Sequence, residues 1–302
     1  MKKVQGPRNK ATLPFHLGPR PLNLCPFTFP FKKMNTLKHW FDTYTHGFDS
    51  DDTMVQEAMD LKCDHTLRVC ENILDIGRSL GLCADDLHIA ETIALFHDIG
   101  RFEQYRRYKT FSDHQSEDHA ALGITIIHNQ KLLSGFDPET AEIILHAVKH
   151  HNRFALPDET NGRPLFFLKM LRDADKADIL RVMTNHYLTA GNTRNPAISL
   201  SLPDTPEISD KIHEDLCQGQ PADTRDVKTL NDLKLLQTGW VYDLNFPRTF
   251  ELIHEKGYLG KLRDTLPRQS SRVAEIYTKA NKFLQQNAGK RAAIEFSVSE
   301  CP

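Results

Sequence analysis

From about Thr53 onward, apolar residues return every three, four or seven positions, the period of a helix with one buried face. Met54, Leu61, Val69, Ile73, Ile76 and Leu80 form the first such stripe, with His65 in its middle and Gly81 as its stop. Asp85 or Asp86 is expected to cap a second helix, which carries Leu87, Ala90, Ile93, Ala94 and Phe96 up to His97 and Asp98. Between Arg101 and Phe111, the bases Arg106, Arg107 and Lys109 interleave with Phe102, Tyr105, Tyr108 and Phe111, which reads as a loop pinned by its aromatics.

A third helix is expected to start near Ser116, carrying His119 and then Leu122, Ile124, Ile126 and Ile127. Asp137 and Pro138 make an N-cap and first-turn pair, opening a fourth helix through Ile143, Ile144, Leu145 and Val148 that ends with His146, His150 and His151. After a loop containing Asn161, Gly162, Arg163 and Pro164, a fifth helix runs from about Leu165 to Tyr187 and carries Asp173, Asp175 and Asp178. Gly191, Pro196, Pro203 and Pro206 send the chain across the surface between 191 and 206. Helical patterns follow near 207–216, 228–239, 248–263 and 269–288, and the last dozen residues read as a frayed tail. With no alternating strands and no internal repeat, the expected class is all-α.

Composition adds boundaries to this pattern. Residues 1–41 contain eight lysines and arginines, no acid, and six prolines, so a continuous helix there is not expected and residues 1–40 read as a loosely packed basic arm. The more ordinary sequence after Met34 marks that residue as an alternative start. The chain as a whole has 38 basic and 40 acidic side chains; with eight bases in the arm, 30 remain against all 40 acids, and the body is acidic by a net of −10. Near-balance over the whole chain gives no reason to expect a nucleic-acid or membrane partner. No apolar run approaches the roughly 20 residues a membrane helix needs. The six cysteines form no Cys-x-x-Cys pair, which suits reduced thiols in a cytoplasmic protein.

The candidate chemistry lies in the fifteen histidines. In Ala94-Leu95-Phe96-His97-Asp98-Ile99-Gly100-Arg101, an adjacent imidazole and carboxylate close an apolar helix. They can share one cation if the helix ends at Asp98 and Gly100 takes a positive φ that fans them together. The partly negative carboxyl end of the helix favours a cation there. In chain order the further candidates are His65, His119, the pair His150 and His151, and Asp175, each on its own helix or helix end. Asp173 is the alternative to Asp175, since the two leave the helix about 200° apart and only one can face inward.

This ordered series resembles the HD superfamily of metal-dependent phosphohydrolases. The resemblance rests on His97-Asp98-Ile99-Gly100 followed by a base, on Ala174-Asp175-Lys176 with Ile179 and Leu180 after it, and on His119 with Gly123 four residues on. It covers residues 50–190, and the stretch from Trp240 through Asp243, Leu244 and Asn245 to Leu262 is similar to a helical extension of some bacterial members. It implies an HD-domain helical bundle over residues 41–190, with a C-terminal helical extension over 191–302 packed on it. It further implies His65, His97, Asp98 and Asp175 as ligands of one divalent ion, and His119 with His150 and His151, bridged by Asp98, as ligands of a second, His146 being a substitute in that pair. Mixed nitrogen and oxygen donors suit Mn, Fe, Co, Ni or Zn, with Mg also admitted. Over a single metal, His119, His150 and His151 could instead donate to a phosphate.

The implied reaction is hydrolysis of a phosphomonoester or phosphodiester, a nucleotide or small phosphorylated metabolite, by a metal-bound hydroxide. Asp98 and Arg101 are its catalytic residues, with Arg101 and Lys176 contacting the substrate. Arg106, Arg107 and Lys109 could add a basic mouth, or simply be a solvated loop. Homo-oligomers are compatible with the pattern. After His151 the chain reads Asn152-Arg153-Phe154-Ala155-Leu156-Pro157, without the Gly-Tyr-Pro of the cyclic-dinucleotide phosphodiesterases, and Leu61 stands where trinuclear members have a glutamate. Two other readings use the same ligands: a mixed-valent di-iron oxygenase of this fold, and a metal-bound signalling module without turnover.

Overall fold

The computed structural model describes residues 31–157, 160–189 and 202–290, and among these the regular structure is helical with no strand. The expected tail beyond 290 and most of the surface crossing at 191–206 lie outside the described residues, as does the arm up to residue 30. The arm does not reach residue 40: a helix, α1, spans Phe31–His46. Its Met34, Leu37 and Phe41 are buried, because the prolines all precede it and its apolar positions recur at helical spacing.

Six helices then build the first core: α2 (Thr53–Ser79), α3 (Ala84–Phe96), α4 (Gly100–Tyr108), α5 (His119–Asn129), α6 (Pro138–His150) and α7 (Gly162–Thr189). Gly81 does end α2, in the left-handed region at φ 71°, and Asp137 caps α6 with Pro138 in its first turn, both as expected. Three local expectations fail for physical reasons. The cap of α3 is Cys83, with Asp85 and Asp86 inside the first turn, where their charge meets the helix amino end. The segment from Arg101 is helical: Phe102 and Tyr105 share its inward face, Phe102 edge-on to Phe41, while Arg106 and Arg107 pair outward with Glu103. Helix α7 begins at Gly162, three residues before the expected start, so that Arg163 and Pro164 lie in its first turn.

Helix α7 has no single apolar face because it serves two cores. Phe167, Leu168, Met170, Leu171 and Ala174 pack with Ile73, Ile93 and Phe96 of the bundle, whereas Leu180 packs with Val241, Phe250 and Leu259 of the extension. The extension comprises α8 (Asp210–Cys217), α9 (Leu230–Gly239), α10 (Pro247–Glu255), α11 (Tyr258–Asp264) and α12 (Ser271–Asn287). The single pattern expected over 248–263 is two helices, parted at Gly257 by a φ of 63°.

Polar contacts fix the extension on α7. Buried Asp173 accepts from the backbone nitrogens of Asn245 and Phe246 and from Asn245 Nδ2, at 2.9–3.1 Å. Asp243 accepts from Arg172 and Lys176 at 2.6 and 2.7 Å. Among the described residues no helix is long and apolar enough to cross a membrane.

Candidate metal centre

Five elements converge on one point. His65 comes from the middle of α2, His97 and Asp98 from the turn between α3 and α4, His119 from the first residue of α5, His151 from the residue after α6, and Asp175 from the middle of α7. Gly100 makes the α4–α5 approach possible, though not through a positive φ. It lies in the first turn of α4, and a Cβ there would stand 2.1 Å from the carbonyl oxygen of His119 and 2.7 Å from the nitrogen of Gly123. Glycine is required at this position because two backbones touch, and that contact brings His119 beside Asp98.

Asp98 lies at the centre with its two oxygens facing different partners. His65 Nε2 and His97 Nε2 are each 3.6 Å from Oδ2, while Asp175 Oδ1 is 3.1 Å from the first imidazole and 3.8 Å from the second. His119 Nε2 and His151 Nε2 are 3.2 and 3.9 Å from Oδ1, and 3.1 Å from each other. The donors thus fall into two groups of metal-holding size, His65 with His97 and Asp98, and Asp98 with His119 and His151.

The remaining ring nitrogen of every imidazole is engaged elsewhere. His97 Nδ1 donates to the Ala94 carbonyl and His151 Nδ1 to the Val148 carbonyl, both at 2.7 Å. His65 Nδ1 meets Asp178 Oδ2 and His119 Nδ1 meets Asp113 Oδ2, both at 2.8 Å. An acceptor at Nδ1 places the proton there and leaves Nε2 as a lone-pair donor aimed inward. The Nε2 atoms of His65 and His97 are buried with no hydrogen-bond partner. A buried polar atom left in that state is costly, and a cation between these nitrogens and the carboxylates removes the cost. The donor set therefore fits a divalent ion.

Electrostatics agree in part. Burial drives His97 down to about 4, against the opposing pull of Asp98 and Asp175, so this ring is neutral near pH 7. For His65 the same burial is outweighed by the nearby carboxylates of Asp175 and Asp178, and its pKa is raised. Burial also pushes Asp98 upward, but Lys62, His97, His119 and His151 outweigh it and hold the carboxyl well below its usual range. Asp175 behaves likewise, its burial overcome by His65 and His97.

Other candidates fall elsewhere. His150 is not brought into the cluster; its ring packs 4.7 Å from that of His146, whose Nε2 lies 3.0 Å from Thr160 Oγ1. The helical turn separates the two neighbouring histidines by about 100°, and only His151 faces inward. Asp173 belongs to the extension contact described above. Arg101 reaches the cavity but its Nη1 donates to Gln104, Phe111 and Asp113, with Nε 3.4 Å from Asp98 Oδ1. Lys176 also lines the cavity, its ammonium on Asp243. Arg106 and Arg107 point outward to Glu103.

Above the donors opens a cavity of about 560 Å³, walled on one side by α2, α4 and α7 and on the other by the extension, from Pro221 to Arg225 and at Leu236, Trp240 and Asp243. Four further residues matter here. Lys62 donates to Asp98 Oδ2 at 2.7 Å, Asp113 and Asp178 orient imidazoles, and Asn152 bonds Asp118, the cap of α5. Lys62 and Asp178 could have been noticed as lying three residues, one helical turn, from His65 and Asp175.

Residues 63–183 match the family model described as HD domain, a match that takes in all six converging side chains. Neither a curated protein nor a solved structure matches the chain.

Proposed function

We propose, from the match of residues 63–183 to the HD domain, that the chain is a metal-dependent phosphohydrolase that cleaves a small phosphomonoester or phosphodiester held in the cavity above Asp98. His65, His97, Asp98 and Asp175 would hold one divalent ion, and Asp98, His119 and His151 a second. When bound, such ions supply an activated water at neutral pH and offset the charge of the phosphoryl oxygens.

The carrying observation is that four imidazoles, each fixed through Nδ1, turn Nε2 toward two charged carboxylates at the floor of one cavity. The protein's own part is orientation and charge. Asp178 and Asp113 hold the His65 and His119 rings, and Arg172 supports the His151 turn by donating to the His151 carbonyl at 3.2 Å. Lys62 reaches the floor, where its ammonium can contact a phosphoryl oxygen, and Arg101, Arg172 and Lys176 give the walls a positive potential that draws an anion in.

The test is a screen of the full chain, loaded in turn with Mn²⁺, Co²⁺, Ni²⁺, Fe²⁺ and Mg²⁺, for phosphate release from phosphomonoesters and for phosphomonoester product from phosphodiesters, with oxygen uptake followed in the iron-loaded sample. Formation of either product with at least one metal, lost in Asp98→Ala, is the expected result. Oxygen uptake without either hydrolysis product would replace hydrolysis by the oxygenase reading, and neither activity would leave a binding module.

A further inference from the structure

Away from the cavity, the extension assembles a second set of donors. His213 and Cys217 stand four residues apart on α8 and project from one face of it, and Glu275 reaches them from α12. His213 Nε2 lies 3.5 Å from Cys217 Sγ and 3.2 Å from Glu275 Oε2, and the three donor atoms fall within 4.8 Å of one another. Around a tetrahedral zinc ion, bonds of roughly 2.0–2.3 Å separate neighbouring donors by about 3.3 Å for nitrogen and oxygen and about 3.5 Å for nitrogen and sulfur. The observed spacings are close to these edges.

The surroundings hold the donors in place. Lys279 donates to Glu275 Oε1 at 2.8 Å and to the Cys217 carbonyl at 3.1 Å, which fixes the carboxylate while leaving Oε2 turned to His213. Ile212 and Leu216 of α8 pack with Val273 and Ile276 of α12 directly beneath, so the backbones that carry the donors are held in place.

We propose that His213, Cys217 and Glu275 form a separate site for a borderline-soft divalent cation of the zinc class, with solvent in the remaining position. Binding displaces the Cys217 thiol proton to solvent, and the cation joins α8 to α12. It also anchors the cavity wall, because the chain begins to line the cavity at Pro221, four residues after Cys217. The site does not depend on the hydrolase reading, and its donors differ in kind from those around Asp98, which include no sulfur.

That difference supplies the test. Co²⁺ titrated into the full chain under reducing conditions should develop a sulfur-to-cobalt charge-transfer absorption, which nitrogen and oxygen ligands at the Asp98 cluster cannot produce. The band should persist in Asp98→Ala and vanish in Cys217→Ser. His213→Gln, which keeps the thiol, should weaken cobalt binding by at least about tenfold. Absence of the band in the wild-type chain with cobalt in excess would overturn the site, as would a band that survives Cys217→Ser or unweakened binding in His213→Gln. Loss of phosphatase activity in Asp98→Ala with the band retained would show the two sites to be independent.

Discussion

The floor and the walls of the cavity are both held by hydrogen bonds and carboxylates, with opposite results. On the floor, each imidazole spends Nδ1 on an acceptor and keeps Nε2 for the centre. On the walls, Arg101 spends Nη1 on Phe111, Gln104 and Asp113, and Arg172 and Lys176 converge on Asp243. Lys62 belongs with the floor, since its ammonium meets the shared carboxylate itself. The right residue type in the right place is available for chemistry only when its partner leaves the relevant atom free.

Asp98→Ala breaks the floor at its centre and carries the largest expected effect. It removes the carboxylate common to both donor groups, so metal content should fall at both and phosphate release should drop about 10³-fold or more, the several kcal/mol of charge stabilisation a metal supplies. Metal analysis alongside a phosphate assay reads both. Asp178→Asn tests the floor one step back: it leaves every donor in place but weakens the hold on His65 Nδ1, and metal affinity or activity should fall about 10–100-fold. Unchanged metal binding in Asp178→Asn would show that fixing the ring contributes nothing.

The same distinction governs what could be read from the sequence. Helices with a strong stripe and a strong stop were legible, as at Gly81 and Asp137, and so was the convergence of His65, His97, Asp98, His119, His151 and Asp175. What escaped was contact between distant elements. Gly100 looked like a turn glycine and is a packing glycine, because its neighbour is the His119 carbonyl nineteen residues on. Arg106 and Arg107 looked like a loop until Phe102 found Phe41 and Phe48 to pack on and Tyr105 found Phe111. The roles of Asp113 and Asp178 depend on distances to imidazoles that no linear spacing encodes.

Two smaller changes sharpen the contrast between site and scaffold. Gly100→Ala should cost about 1–3 kcal/mol through the collision with the His119 backbone, read as a lower melting temperature, with metal affinity falling as His119 is displaced. Asp243→Asn should cost about 1–3 kcal/mol by leaving Arg172 and Lys176 half-satisfied, with the metal retained. Burial pushes the Asp243 carboxyl up, but Lys176 and Arg172 outweigh it and hold its pKa below the ordinary value. A carboxyl depressed on folding stabilises the protein above its unfolded value, near 4, and that contribution is lost as pH falls through the folded value. The wild-type chain should therefore lose stability on acidification more steeply than Asp243→Asn in a melting series below about pH 5.

The smallest expected effect is the most discriminating. His150 and His151 are neighbours in the chain and alike in chemistry, yet His151 Nε2 reaches 3.1 Å from His119 Nε2 while the His150 ring rests on His146 outside the donor groups. His150 is half-buried at the end of α6, so His150→Ala should shift stability by no more than about 0.5 kcal/mol and leave metal content and turnover near wild type. His151→Ala removes a donor and should lower metal content at the second group and turnover with it. Equal losses from the two variants would mean that the second ion is held by the paired histidines together, and the division of donors around Asp98 into His65 with His97 and His119 with His151 would have to be redrawn.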